Sequence, residues 1–223
     1  QYELAVAKDI YIIDNSFFGR MFPVKRAPPE SDLEEFYALI GSKYISKEVD
    51  KKFDVIGARR RETALTSALL ERIHERCPLL VSPSITSRPL VGNAASILDD
   101  KHLEVYEVSE VKAVYSLGKS IRTHQTTCCC QPGASKKNYL YITSDFDWFD
   151  VGCAIGELIL QRCQLEDAFF ISSLLEAPLD QLRARGFPVD RIIKVEPVPE
   201  PEPPAPPASI EPSPEASSTR SQT

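Results

Sequence analysis

The chain has little of what several functional classes require. Its longest apolar stretch, near residues 148–160, is well short of the ~20 residues that span a bilayer, so no membrane-crossing helix is expected. No basic segment followed by an apolar run opens the chain, so no secretory leader is expected. Basic side chains are in deficit: 26 Lys and Arg face 32 Asp and Glu, giving a net charge of −6. A general nucleic-acid binder normally carries a basic excess, so nucleic acid is not an expected partner. No strong catalytic motif is present, and the expected site list is empty for catalytic, cofactor-binding and metal-ligating residues alike.

What is present suffices for a core. The 223 residues are 43% apolar and 9% aromatic, a composition that folds rather than one that stays extended. An opening Gln in place of Met fits a fragment or a processed product. Six cysteines stand at 77, 128, 129, 130, 153 and 163. Three adjacent cysteines make a poor disulfide framework, so reduced thiols in an intracellular setting, cytoplasmic rather than nuclear, are expected.

Proline marks one boundary. Nine of the 18 prolines lie between Pro197 and Pro214, interleaved with Glu200, Glu202 and Glu211. Such a segment has too few large apolar side chains to offset its ordering entropy. The expected organisation is a folded body over 1–195 and a disordered, acidic, Pro-rich linker over 196–223.

Within the body, Ser31 and Glu34 have capping-box spacing, and Leu33, Phe36, Tyr37 and Ile40 recur at helical period up to a Gly41 stop. A second helix is expected over 62–76, with Leu65, Ala68, Leu69 and Ile73 on one face and Pro78 ending it. The period then changes to two. Strands are expected over 103–108, 111–117, 121–127 and 139–143, with Gly118-Lys119 as a hairpin turn and an earlier strand over 10–13. Helices resume near Asp147. The run 148–160 is apolar nearly all round, and Gly152 and Gly156 would let a neighbouring backbone approach closely. A further helix covers 165–175, and Pro178 starts another that Gly186 ends. The fold class is α+β: one antiparallel sheet of four or five strands, with helices before and after it packed on one face.

Several motifs touch on chemistry. Ser116 to Ser120 ends like a phosphate-binding loop, but Ala113 stands where its first glycine is needed, so a hairpin turn is the better reading. His124 with Cys128, Cys129 and Cys130 lacks the fourth ligand and paired spacing of a zinc site, leaving a reduced, mobile loop. Asp145, Asp147 and Asp150 follow a strand, as Mg²⁺ ligands would, yet they also fall where a helix needs its cap. Glu110 and Lys112, with Asp99 and Asp100 upstream, resemble a metal-dependent nuclease site only as a bare motif. His74, near Cys77, reads as a satisfied surface histidine. Arg59, Arg60 and Arg61 read as a solvated loop.

Longer strings carry a resemblance. They are Tyr11-Ile-Ile-Asp-Asn-Ser-Phe-Phe-Gly-Arg-Met-Phe-Pro23, Asp32-Leu-Glu-Glu-Phe-Tyr-Ala-Leu-Ile-Gly-Ser-Lys-Tyr-Ile-Ser46 and Asp145-Phe-Asp-Trp-Phe-Asp-Val-Gly152. A fourth is Gln161-Arg-Cys-Gln-Leu-Glu-Asp-Ala-Phe-Phe-Ile-Ser-Ser-Leu-Leu-Glu-Ala-Pro-Leu179. Together they resemble a C-terminal region of very large fungal sacsin-like proteins of unknown function, also likened to the plant protein NO VEIN. The resemblance covers roughly residues 1–194. It implies an Hsp90-type, histidine-kinase-like ATPase domain elsewhere in the full-length protein, with ATP and Mg²⁺ bound there. The glycine loop of such a site is not matched here, since Ser16 and Phe18 stand where its glycines should be. The expectation is therefore a non-catalytic structural or interaction module, chaperone-related, whose partners are other domains of the same chain. The alternative is a metal-dependent nuclease or phosphotransfer domain using Asp145, Asp147 or Glu110.

Overall fold

A computed structural model of the chain describes residues 5–82, 89–161 and 163–189. The chain divides into two units, 1–192 and 193–223. The expected tail from 196 lies outside the described residues.

The first unit mixes helices with three separate three-stranded sheets. The first sheet is wholly parallel: β1 (Ile10–Ile12) lies between β2 (Lys25–Arg26) and β3 (Lys43–Tyr44). Parallel neighbours need crossovers, and these are α1 (Ser16–Met21) and α2 (Ser31–Leu39). Asn15 starts α1 by accepting from the Phe17 and Phe18 N–H groups at 3.0 and 3.1 Å. The short α3 (Ile45–Glu48) then leads into β4 (Asp50–Ile56).

The second sheet is antiparallel, in the order β4, β6 (Glu110–Leu117), β7 (Ser120–Thr126). Val111, Ala113, Tyr115 and Leu117 alternate inward along β6, the period-two pattern of a strand buried on one face. Leu117 pairs with Ser120, and Gly118 between them takes a φ of +57°, so the resemblance to a phosphate-binding loop resolves into a hairpin turn.

The third sheet corrects the expected single antiparallel sheet of four or five strands. Here β5 (Leu103–Glu107) runs parallel to β9 (Asn138–Ile142), which pairs on its other side with antiparallel β8 (Cys128–Pro132). Strands β5 and β6 were expected to share that single antiparallel sheet, yet they belong to different sheets. Val108 and Ser109 between them have no positive φ of the kind a tight two-residue hairpin uses. Instead the Val108 N–H donates to Ile142 and the Ser109 N–H to Ile56, so the chain steps from one sheet onto the next. Buried Val108, Val111, Cys129 and Tyr141 pack where the two sheets meet. Cys128 to Cys130 are therefore strand residues, not a mobile loop.

The largest core lies between the third sheet and the helices α4 (Ala64–Leu80), α6 (Trp148–Ile159) and α7 (Leu165–Glu176). Short helices α5 (Ala94–Ile97) and α8 (Leu179–Ala184) complete the described set. Thr63 caps α4 by accepting from the Thr66 N–H at 3.2 Å. Pro78 lies inside α4 rather than ending it. In the last turn it forfeits only one backbone bond, and Leu79 and Leu80 beyond it are fully buried. On α6, Gly152 is the point of closest approach: a Cβ there would lie 2.4 Å from the Ala168 carbonyl oxygen of α7.

Candidate functional site

Helix α2 departs from the usual amphipathic arrangement. It begins after Glu30, with no side-chain cap, and Ser31 is already its first helical residue. The expected capping box does not form, because the Ser31 hydroxyl donates to Asp32 at 3.3 Å rather than accepting from the backbone. Gly41, at φ +102°, ends the helix as expected, and the Ser42 N–H closes back on the Tyr37 carbonyl. Buried Ser42 then donates to the Ala7 carbonyl at 3.0 Å, anchoring the end of α2.

No residue of α2 is buried. Glu34, Tyr37 and Ala38 are half-buried and form the inner side, while the apolar stripe faces outward. Leu39 is 86% exposed, Phe36 53%, Ile40 45% and Leu33 39%. Of the expected stripe, Leu33, Phe36 and Ile40 are thus exposed and Tyr37 turns inward, while Leu39 was not part of it. The period of a helix reveals a stripe but not what lies over it, and the parallel sheet beneath α2 has strands of only two or three residues. Single exposed apolar residues are normal on a protein surface; four together on a helix with nothing buried are informative.

A second, polar cluster lies at the start of α4. Glu104 of β5 is nearly inaccessible and takes Lys137 at 2.5 Å, the Tyr106 hydroxyl at 2.6 Å and Arg61 at 3.6 Å. The bonds from Lys137 and then Tyr106 hold its carboxyl below the usual range. The bond to Glu104, then burial, pushes the Tyr106 phenol up to about 12. Arg60 pairs with Glu107 at 2.5 Å, and Arg59 lies 5.0 Å above the Tyr141 ring. The arginine run is thus paired while its side chains stay exposed, and Glu62 beside it is held at a φ of +63°. Arg61, Glu62, Thr66, Ser67, Leu70, Glu104 and Val105 line a hollow of ≈ 220 Å³, below the size of most ligand pockets. Sequence reading missed Glu104 and Glu107; their signal was two acids inside an otherwise apolar strand.

The other expected residues stand apart. Asp147 caps α6, accepting from the Phe149 N–H at 3.0 Å. Asp150 accepts on one oxygen from the Thr126 hydroxyl, the Thr127 N–H and the Thr127 hydroxyl, at 2.8, 2.7 and 2.8 Å. Asp145 is exposed ahead of them. Glu110 and Lys112 pair with each other at 3.0 Å on β6. Asp99 accepts from the Lys101 N–H, whereas Asp100 lies 3.0 Å from His74. His74 is half-buried rather than at the surface, and its Nε2 has no hydrogen-bond partner. His124 sits in the second sheet against Phe17, while Cys128, Cys129 and Cys130 sit in the third. Burial pushes Cys129 and Cys130 up to about 12 and raises Cys128 as well, which disfavours the thiolates a metal would need. Among the described residues, no three His, Cys, Asp or Glu side chains converge as metal ligands. No described helix is long and apolar enough to cross a membrane.

The described elements define an α+β chain with an uncovered apolar helix. Residues 1–81, which contain α2 and run through the end of α4, match the model of a family described as a protein of unknown function (DUF3684). No curated protein and no solved structure matches the chain.

Proposed function

We propose that this chain is a non-catalytic structural and interaction module, and that α2 is its contact surface. One observation carries the reading: the most apolar side of α2 points away from its own fold. The surrounding context is part of the same proposal. The resemblance of the strings at 11–23, 32–46, 145–152 and 161–179 supports placement within a large sacsin-like, chaperone-related ATPase protein. ATP and Mg²⁺ would act in another domain of it, and other domains of the same chain would be partners. An intracellular setting belongs to this reading and rests on the run of three adjacent cysteines.

The test is the double substitution Phe36→Ser and Leu39→Ser in the whole chain. Stability stays within the ~0.5 kcal/mol typical of surface changes, while binding of a hydrophobic dye falls. A loss above ~2 kcal/mol, the size of a core truncation, would place this face in a core and overturn the reading.

A further inference from the structure

The α2 segment itself carries charge of one sign, with Arg26 and Lys43 only in the strands before and after it. Glu30, Asp32, Glu34 and Glu35 lie between residues 27 and 42, and no Lys, Arg or His does. None of the four forms an ion pair among the described residues. Helical i, i+4 spacing sets Asp32 beside Phe36 and Glu35 beside Leu39, so carboxylates border the exposed apolar side chains. Apolar anchors supply contact area, and charges at their rim select the partner and steer its approach.

Building on the reading of α2 as a contact surface, we propose that it docks an apolar protein segment flanked by Lys or Arg. Such a segment covers Leu33, Phe36, Leu39 and Ile40 and brings bases to Asp32 and Glu35. A second copy of the chain fits less well, because a two-fold contact through α2 sets the same acids against each other. An anionic membrane surface repels them too.

Random peptides of about 15 residues, some four helical turns, are selected for binding to the whole chain and counter-selected on the Phe36→Ser, Leu39→Ser variant. The expected winners carry apolar residues at helical spacing and an excess of Lys and Arg. A synthesised winner binds more weakly as salt rises. It also loses about tenfold in affinity to an Asp32→Asn, Glu35→Gln chain, the size expected when rim charges act. Apolar winners of neutral or acidic composition, still dependent on Phe36 and Leu39, overturn the basic partner but leave the contact surface standing. Concentration-dependent dimerisation abolished by Phe36→Ser, Leu39→Ser assigns the face to a second copy and likewise overturns the proposal. Absence of any peptide that depends on Phe36 and Leu39 overturns both readings.

Discussion

Arg76 of α4 donates to the carbonyl of Leu174, 98 residues later, at 3.2 Å. It is 2% exposed and also donates to the Ala177 carbonyl at 3.1 Å. Its Nη1 lies 3.0 Å from Glu75 without hydrogen-bond alignment, so that contact is electrostatic. Arg72, one turn earlier, donates to the Leu175 and Glu176 carbonyls at 3.2 Å. Two arginines of one helix thus satisfy four carbonyls at the end of α7, groups that have no partner within a helix of their own.

Removing the buried arginine leaves two of those acceptors, the Leu174 and Ala177 carbonyls, without donors. Arg76→Ala is expected to lower unfolding free energy by ~3 kcal/mol or more, combining lost charge-assisted bonds with a cavity. Arg76→Lys rescues little, because an ammonium lacks the planar fork that reaches two carbonyls. Denaturant titration measures both. Equal stability of the lysine variant and wild type would show that charge alone suffices.

The sequence makes some of this legible and leaves the rest silent, for physical reasons. Alternation at Val111, Ala113, Tyr115 and Leu117 reports a strand with one buried face, because side chains of a strand point alternately to opposite sides. Gly118 reports a turn because a positive φ is costly for other residues. Neither signal says which strand lies alongside, so the division into three sheets could not be read. The same limit applies to α2, whose stripe is plain at Leu33, Phe36 and Ile40 while its outward aspect is not. The carbonyl partners of Arg76 carry no sequence mark at all.

The polar cluster predicts a pH dependence of defined sign. Glu104 has a folded-state pKa below the ordinary 4.5, through Lys137 first and then Tyr106. Its contribution to stability is complete above the unfolded value and is lost as pH falls through the folded one. The stability difference between wild type and Glu104→Gln should therefore narrow as the medium is acidified below about pH 4.5. In the same variant the Tyr106 phenol should titrate below its present value of about 12, read by alkaline absorbance. A stability difference constant across the acid range would remove Glu104 from the linkage.

The thiols should be slow to react. Burial is the first cause raising Cys129, Cys130 and Cys153 to about 12, and it raises Cys128 too. Thiolate is the reactive form, so at pH 8 only a minute fraction of each such group is competent. A disulfide reagent should label these four only as fast as the fold opens, and denaturant should release them together. Rapid labelling of Cys128, Cys129 or Cys130 in the native chain, located by peptide mapping, would contradict the burial of β8.

The two glycines of α6 separate a rigid contact from a yielding one. A Cβ on Gly152 would meet the Ala168 carbonyl oxygen at 2.4 Å and the Ser172 nitrogen at 2.9 Å, both backbone atoms of α7. On Gly156 it would meet Cys163 Sγ at 2.5 Å and Ile171 Cδ1 at 3.2 Å, both side-chain atoms. Side-chain ends can rotate away, whereas backbone yields only if α7 shifts and disturbs the core it covers. Alanine also gains up to about 1 kcal/mol of helix propensity over glycine at each position. Gly156→Ala should therefore lie within ~1 kcal/mol of wild type, propensity offsetting a modest repacking. Gly152→Ala should lose ~2 kcal/mol or more, because overpacking against backbone outweighs that gain. Urea midpoints at unchanged slope measure the two directly, and a Gly152→Ala midpoint at or above wild type would falsify the seating of α7 on α6.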